Sequence, residues 1–555
     1  MALSSTLIFI ALGSGLLLIW LSRRISSRRK FNGLPRVGID PGFLGLRTQA
    51  AKDEFFAKGQ QLLEQGYEKY KDTPYVIHTC DNERLVIPDR FIEELKNLPD
   101  TQLSFKEELL DRFMGKYTKL DAVRGTTIHR DIIRFQLTKN LGTELLFPWR
   151  DVLRQNYTLT ESTTGNLLPQ MKEEADLALR NALGSCDSKG TLPQFTPVKA
   201  SSVIFAAIGQ ITSRRVIDDP LISRDPIWLK TIMGFTASVA VFCITMRTIS
   251  PTLRPIAQYT LPCGRKLRSD IAQVTKLLAP VIKKRQRQNA DDESAVLDDD
   301  QPQDFVQWLS ESAKGQDAEP EAIVMKILFL IVAAMHSSAV IAIHALYDLC
   351  THPELMEELR EEVVKEIGAN GWTHSSLLRL RRMESFLKES GRSNSAGIVS
   401  FQRLVLSPIP LSNGFTIPAG THICAASDAR SRDPALYDSP LEFRPMRFYS
   451  PSNVNAGEAS EVDAANLFSS VTAGDSWFGA GRQACPGRWY ASAQIKLVLC
   501  LLLTEYEFKF PNGQTERPKN WVKDEKTGPN MEQIILFSRR KVQSERITWI
   551  VRAKD

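Results

Sequence analysis

What the chain lacks narrows it first. It has no excess of one charge, with 70 Lys and Arg against 64 Asp and Glu, a formal net charge of +6 over 555 residues. That balance gives no footing for nucleic-acid binding, and no zinc-finger or comparable motif is present. Cysteine is sparse: eight residues, at 80, 186, 243, 263, 350, 424, 485 and 500. They are scattered without the spacing of a disulfide framework, so they read as cytosolic thiols. The chain is not polar enough to stay unfolded either. Hydrophobic residues make up 43% and mean hydropathy is −0.20, the composition of a folded body of one large domain or several.

One long apolar run opens the chain. Leu3 to Leu21 is broken only by Ser4, Ser5, Thr6, Gly13, Ser14 and Gly15, and at about 1.5 Å per residue it approaches the ~30 Å of a bilayer core. A cleaved signal peptide would have a basic region ahead of the run and a small-residue cleavage site, and neither is seen. Instead Arg23, Arg24, Arg28, Arg29 and Lys30 follow it, which holds the C-terminal side in the cytoplasm. The expected organisation is a transmembrane anchor (1–22), a basic flank and hinge with Gly33-Leu-Pro35-Arg-Val-Gly38 (23–50), and a cytosolic catalytic body (51–555). The Asn156-Tyr-Thr158 sequon would then go unglycosylated.

The stretch Phe478-Gly-Ala-Gly-Arg-Gln-Ala-Cys485-Pro-Gly-Arg488 carries the chemistry. Gly479, Gly481 and Gly487 allow a tight turn or close approach to a flat ligand. Trp489 to Leu503 reads as a long apolar helix, and a cysteine just ahead of it feels the helix dipole, which favours thiolate. Cys485 has no Cys or His at zinc-ligand spacing. An iron-ligating thiolate and an inert core cysteine both fit this stretch taken alone.

Further features stand in a fixed order. Lys52 to Tyr70 has helical spacing, Tyr75–His78 and Arg84–Ile87 form a hairpin, and Pro88 to Leu98 is a short helix. His129 to Leu141 and Leu145 to Leu168 are expected helices, as are Val198 to Arg214 and Trp228 to Met246. The last two either line a cavity or touch a bilayer. Asn289 to Gln303 and Pro451 to Ala464 read as polar surface connections. Glu321 to Cys350 is the longest apolar helix of the body. At its centre Ala333 and Ala334 keep the surface low, while His336, Ser337 and Ser338 put polar groups where burial is costly unless they are used. Glu389 and Arg392 lie three apart on one helix face, and Phe443-Arg-Pro-Met-Arg447 adds a later arginine. Phe415 to Cys424 reads as strand, turn and strand, with strand-like Thr504–Phe510 and Met531–Arg539 to finish.

Together these resemble the cytochrome P450 family. Phe478, Gly481, Cys485 and Gly487 fit its Phe-x-x-Gly-x-x-x-Cys-x-Gly loop. Ala333-Ala334, His336 and Ser337 stand where the family has a small pair and an acid–alcohol pair, and Glu389, Arg392 and Arg447 stand at its Glu-x-x-Arg network. The resemblance implies the P450 fold, mainly α with small β-sheets, behind one N-terminal transmembrane helix. It implies haem b (iron protoporphyrin IX) with the Cys485 thiolate as axial ligand. Phe478, Gly479, Gly481, Arg482, Gly487 and Arg403 would contact the cofactor, and Glu389, Arg392 and Arg447 would brace its pocket.

By the same resemblance Ser337 and His336 would relay protons through water, and Ala333, Ala334, Ile398 and Phe401 would line the substrate pocket. Two departures are visible. The Trp-x-x-x-Arg propionate contact fails, since Trp149 is followed by Leu153, which leaves His129, Arg130 and Arg134 as substitutes. Gln483 replaces a common Arg or His, with Arg482 or a neutral Gln483 contact to a propionate as compensation. NADPH electrons would arrive through cytochrome P450 reductase, docked near Arg482, Arg488 and Lys496, with cytochrome b5 as an optional donor. The implied enzyme is a monomeric, single-pass endoplasmic-reticulum monooxygenase facing the cytoplasm, most like fungal enzymes of terpenoid, indole diterpene or meroterpenoid metabolism. Left open are a sterol or fatty-acid hydroxylase, an isomerase or peroxide-using enzyme on the same fold, and a non-catalytic membrane haem protein.

Overall fold

A computed structural model describes residues 31–540 except 32, 43–44, 142–166, 185–193, 292–301, 451–464 and 472–476. The expected anchor, the basic cluster Arg23 to Lys30, the Asn156 sequon and the Pro451–Ala464 connection lie outside the described residues. So do nearly all of the expected Leu145–Leu168 helix and most of the Asn289–Gln303 connection.

The described chain is mainly helical with small sheets, and its axis is the helix Pro320–Thr351. Pro320 starts it at a position that needs no N–H donor, and the sequence is apolar on every face, as in helices surrounded by protein. Helices Ala200–Val216, Pro226–Arg247, Pro262–Asp291 and Arg488–Glu505 pack around it. Two described helices, Pro226–Arg247 and Pro320–Thr351, are long and apolar enough to cross a bilayer. The second is instead the core helix, buried along most of its length.

Beside this helical body lies a six-stranded sheet in the order Arg36–Val37, Tyr75–His78, Glu83–Val86, His422–Ala425, Ser400–Val405, Leu103–Ser104. The expected hairpin pairs Tyr75 with Val86 and His78 with Glu83. His422–Ala425 then runs parallel to Glu83–Val86 and antiparallel to Ser400–Val405. Ser400–Val405 alternates half-buried and buried residues, as a strand with one face on the core requires. The expected strand–turn–strand at Phe415–Cys424 forms but is divided. Thr416–Ile417 pairs with Ile409–Pro410 in a separate ribbon, and only His422–Ala425 enters the large sheet. Tyr506–Lys509 and Ile534–Arg539 pair antiparallel, with Thr196–Lys199 as the third strand.

One expected helix is broken. Ile128–Asp131 passes into a π-helical turn, Ile132–Leu137. Thr138 closes it, because its N–H and its hydroxyl both reach the Ile133 carbonyl, the latter at 3.0 Å. Such turns concentrate at functional sites. Here the turn sets Ile133 against the cysteine loop, with Ile133 Cγ2 3.5 Å from where a Gly487 Cβ would stand.

Candidate active site

Cys485 is half-buried in the loop that feeds the helix Arg488–Glu505. Its N–H donates to the Phe478 carbonyl at 2.7 Å, closing the loop on itself. Phe478 is 6% exposed and meets Phe468 edge-on at 5.3 Å. Burial pushes the Cys485 thiol up, opposed by a hydrogen bond from the Gly487 N–H and by the Arg488 charge. Arg488 donates to the Cys485 carbonyl at 3.0 Å and stacks on Trp489 at 4.9 Å.

The three glycines differ in why they are glycine. Gly479 and Gly481 have φ of +74° and +62°, and a Gly481 Cβ would fall 2.3 Å from the Lys96 carbonyl oxygen. Gly487 has φ of −92° with ordinary space around it. Protein sterics therefore demand glycine at the first two positions and leave the third free for close approach of a ligand.

Glu389, Arg392 and Arg447 come together. Glu389 is fully buried and takes two bonds from Arg392, at 2.8 and 2.9 Å, one from Arg447 at 3.0 Å and one from the Arg444 N–H at 2.9 Å. Arg392 also donates to the Ser431 and Pro440 carbonyls, and Arg447 to the Glu442 carbonyl. The indole N–H of Trp477, directly before Phe478, donates to the Gly391 carbonyl. A side chain at Gly391 would collide with that indole at 2.6 Å, so the brace helix Arg381–Ser393 seats the cysteine loop by contact.

On the central helix, burial is interrupted in one place. Ala333, His336 and Ser337 are exposed and Ala334 is half-exposed, while Leu330, Ile331, Met335 and Ser338 through Ile343 are buried. An exposed turn in the middle of a core helix lines an internal opening. The small side chains keep this stretch of backbone accessible. Ser337 donates to the Ala333 carbonyl at 2.9 Å, the back-bond expected of a helical serine. His336 packs against Phe205 at 5.5 Å, and its pKa is lowered, first by burial and then by the charge of Lys526.

The cationic candidates separate clearly. Arg403 is 4% exposed, lies between the rings of Phe105 and Phe401 at 5.1 and 4.7 Å, and donates to the Gln402 carbonyl. Burial pulls its pKa down to about 10 against the pull of Asp100 and Glu108, and no acid among the described residues pairs with it. His129 is buried, with Nδ1 lacking a partner, and burial, then Lys106 and Arg130, lowers its pKa to about 4. It meets Phe329 of the central helix edge-on at 5.2 Å. Arg130 is paired with Asp100 at 2.9 Å, and Arg134 is exposed over Phe135.

Several expectations change. Lys496 is not on a docking surface: it is 1% exposed, bonded to the Leu377 carbonyl at 2.9 Å and ion-paired with Glu384. Arg488 is half-buried, so of that trio only Arg482 stands exposed. Gln483 does not face a propionate. Its amide donates to the Leu103 carbonyl at 2.5 Å and accepts from the Phe105 N–H at 2.6 Å, clamping the strand-to-helix junction around Ser104.

Ile398 and Phe401 are given to the sheet core. Ile398 is 0% exposed in a cluster with Phe55, Leu63 and Tyr75, so it presents no surface to the opening. Phe401 is 5% exposed at φ +49° in a bulge of Ser400–Val405, which turns its ring onto Arg403. Spacing also missed the hairpin of Trp521–Lys523 with Lys526–Gly528. Asp524 in its turn, at φ +57°, is of a residue type that tolerates this conformation and was the available signal.

These residues fit a haem. A cysteine stands in a loop with a free approach at Gly487, small residues open the opposing helix, and unpaired groups remain at Arg403 and His129 to receive carboxylates. No cluster of three or more His, Cys, Asp or Glu that could hold a metal ion occurs among the described residues.

A sequence profile of the cytochrome P450 family matches residues 185–527. Cytochrome P450 monooxygenase paxP of Penicillium paxilli is 32% identical over 490 residues, 88% of this chain and 87% of its own length. Cytochrome P450 monooxygenase olcJ of Penicillium canescens is 28% identical over 540 residues, 96% and 93% respectively. Ent-kaurene oxidase P450-4 of Gibberella fujikuroi is 30% identical over 494 residues, 88% and 90%. With its cysteine loop, Glu389 brace and opened central helix, this chain belongs to the cytochrome P450 family of haem-thiolate monooxygenases, and is an oxidoreductase.

Proposed function

We propose that this enzyme hydroxylates a hydrophobic, terpenoid-derived intermediate of fungal secondary metabolism, with NADPH electrons delivered by a membrane-bound flavoprotein reductase. The observation that carries this reading is the exposed turn Ala333–Ser337 in an otherwise buried helix. The helix Arg488–Glu505, which begins three residues after Cys485, packs against that central helix. The haem supplies the oxygen-activating chemistry.

The protein's own residues do the rest. Cys485 would hold the haem iron through its thiolate, which the Gly487 N–H and the Arg488 charge favour. Arg403 and His129, whose buried polar groups lack an acid partner, would hold the propionates. Ser337 exchanges its bond to the Ala333 carbonyl for one to water and passes protons, with a neutral His336 beside it to donate or accept. Ala333 and Ala334 admit the substrate. Arg482 is the exposed cation for a reductase near the cysteine loop. Ent-kaurene oxidase among the relatives supports a diterpenoid-like substrate.

A membrane address is part of the reading. Val241 and Ile244 of Pro226–Arg247 are exposed, together with Leu253, Ile256 and Tyr259 just beyond it. An apolar group of this kind fits a bilayer surface, with residues 1–22 as the anchor in the endoplasmic reticulum.

The test uses full-length protein in lipid discs with an NADPH-dependent reductase and a panel of diterpenoid and meroterpenoid intermediates. NADPH- and reductase-dependent product bearing one added oxygen atom is expected. Product formed only with peroxide, or an isomer without added oxygen, contradicts it.

A further inference from the structure

The hairpin of Trp521–Lys523 and Lys526–Gly528 carries a cation that the reaction described above does not use. Its turn is held firmly. Glu525 is 5% exposed and bonds Arg112 at 2.7 Å and Gln402 at 2.9 Å, and it is ion-paired with Arg84. Its carbonyl accepts from the Ile398 N–H at 3.0 Å, and Lys526 bridges to Gly397. Arg112 in turn offers its carbonyl to Arg247 at 2.7 Å, and Cys243 bonds the Phe113 carbonyl. The hairpin tip, the helix Phe105–Arg112 and the end of Pro226–Arg247 thus converge.

Lys526 stands in that convergence with an exposed side chain. Its electrostatic neighbours are Arg112, Arg247, Cys243 and Asp524, and its own charge acts on His336 of the open turn. Exposed where these elements meet and within electrostatic reach of His336, it lies on the side of the open turn. The two arginines beside it are matched, Arg247 with Asp81 at 3.0 Å and Arg112 with Glu525, while Asp524 takes a bond from Cys80 and keeps one buried oxygen without a partner. No acid among the described residues pairs with the Lys526 ammonium. A bound hydrocarbon would strip water from that ammonium and leave it bare, whereas an anionic oxygen would neutralise it.

We infer that Lys526 is a specificity-determining residue that binds a carboxylate on the substrate and orients the hydrophobic skeleton beneath it toward the turn at Ala333–Ser337. The substrate is then a molecule already carrying an acid group. A reaction that installs a carboxylate, such as oxidation of a methyl group, must precede this one. The inference rests on the proposed haem-centred pocket and names the substrate class that pocket accepts.

The experiment anchors a probe on the iron, so the natural skeleton need not be known. Full-length ferric holoenzyme is titrated with N-alkylimidazoles and with the matching imidazolyl alkanoic acids over a series of tail lengths, followed by the Soret shift. At one tail length or more, the wild type is expected to bind the acid at least about tenfold tighter than its alkyl partner. K526Q should lose that preference while keeping its affinity for the alkyl compounds, and K526R should retain it. Equal acid-to-alkyl ratios in wild type and K526Q at every length overturn the inference. Loss of the Soret shift with unsubstituted imidazole in the wild type would instead sink the haem reading on which it rests.

Discussion

The brace at Glu389 and the open turn at Ala333–Ser337 lie in one helical body and treat polar groups in opposite ways. Around Glu389 every charge is committed: two arginines, a backbone N–H and several carbonyls complete a network with almost no exposed surface. At the open turn the groups are left available. Ser337 holds only its own helix, His336 touches a ring, and Lys526 has no acid partner among the described residues. A saturated network gives a rigid seat for a cofactor, and unsaturated groups in an opening are what a substrate and its protons can engage. The difference separates the part that holds from the part that selects.

The largest expected effect comes from breaking the saturated side. E389Q removes the one buried anion between Arg392 and Arg447, and stranding such charges costs about 3–5 kcal/mol. We expect little or no haem-loaded protein, measured as the ratio of Soret to protein absorbance. Normal loading would mean that the brace is not what seats the loop.

A smaller effect is expected on the unsaturated side. S337A should load haem normally and lower product formation by about tenfold, with more NADPH consumed per product as protons are misdelivered. Unchanged coupling between NADPH and product would remove Ser337 from the relay and weaken the contrast between the two regions.

The smallest effect tests the boundary. Q483A breaks two bonds to backbone at Leu103 and Phe105, worth about 1–3 kcal/mol of stability. Its thermal midpoint should fall while the spectrum of its bound haem stays that of the wild type. A changed spectrum with unchanged stability would restore Gln483 to the cofactor.

Legibility in the sequence followed the same division. The cysteine loop, the Glu389–Arg392 pair and the hairpin Tyr75–Val86 were readable because their residues stand close along the chain, where periodicity and turn chemistry act. Arg447 was found through the resemblance and not through spacing. The misread residues find their partners far away. Gln483 bonds backbone some 380 positions earlier and Lys496 pairs with Glu384 across 112, so a polar letter in the sequence did not reveal whether its partner was solvent, cofactor or protein. Ile398 looked like a pocket residue because its segment follows the brace, yet its side chain turns into the sheet core. The exposed middle of the central helix was foreshadowed by small and polar residues inside an apolar run, a pattern that packing alone would disfavour.

The central claim is that Cys485 is the thiolate ligand of the haem, and the reduced carbon-monoxide difference spectrum tests it most directly. Wild-type holoenzyme should show the thiolate band at about 450 nm, and C485H should bind haem without it. A wild type that is folded and haem-loaded yet lacks the band, or a C485H protein that keeps it, would contradict the account.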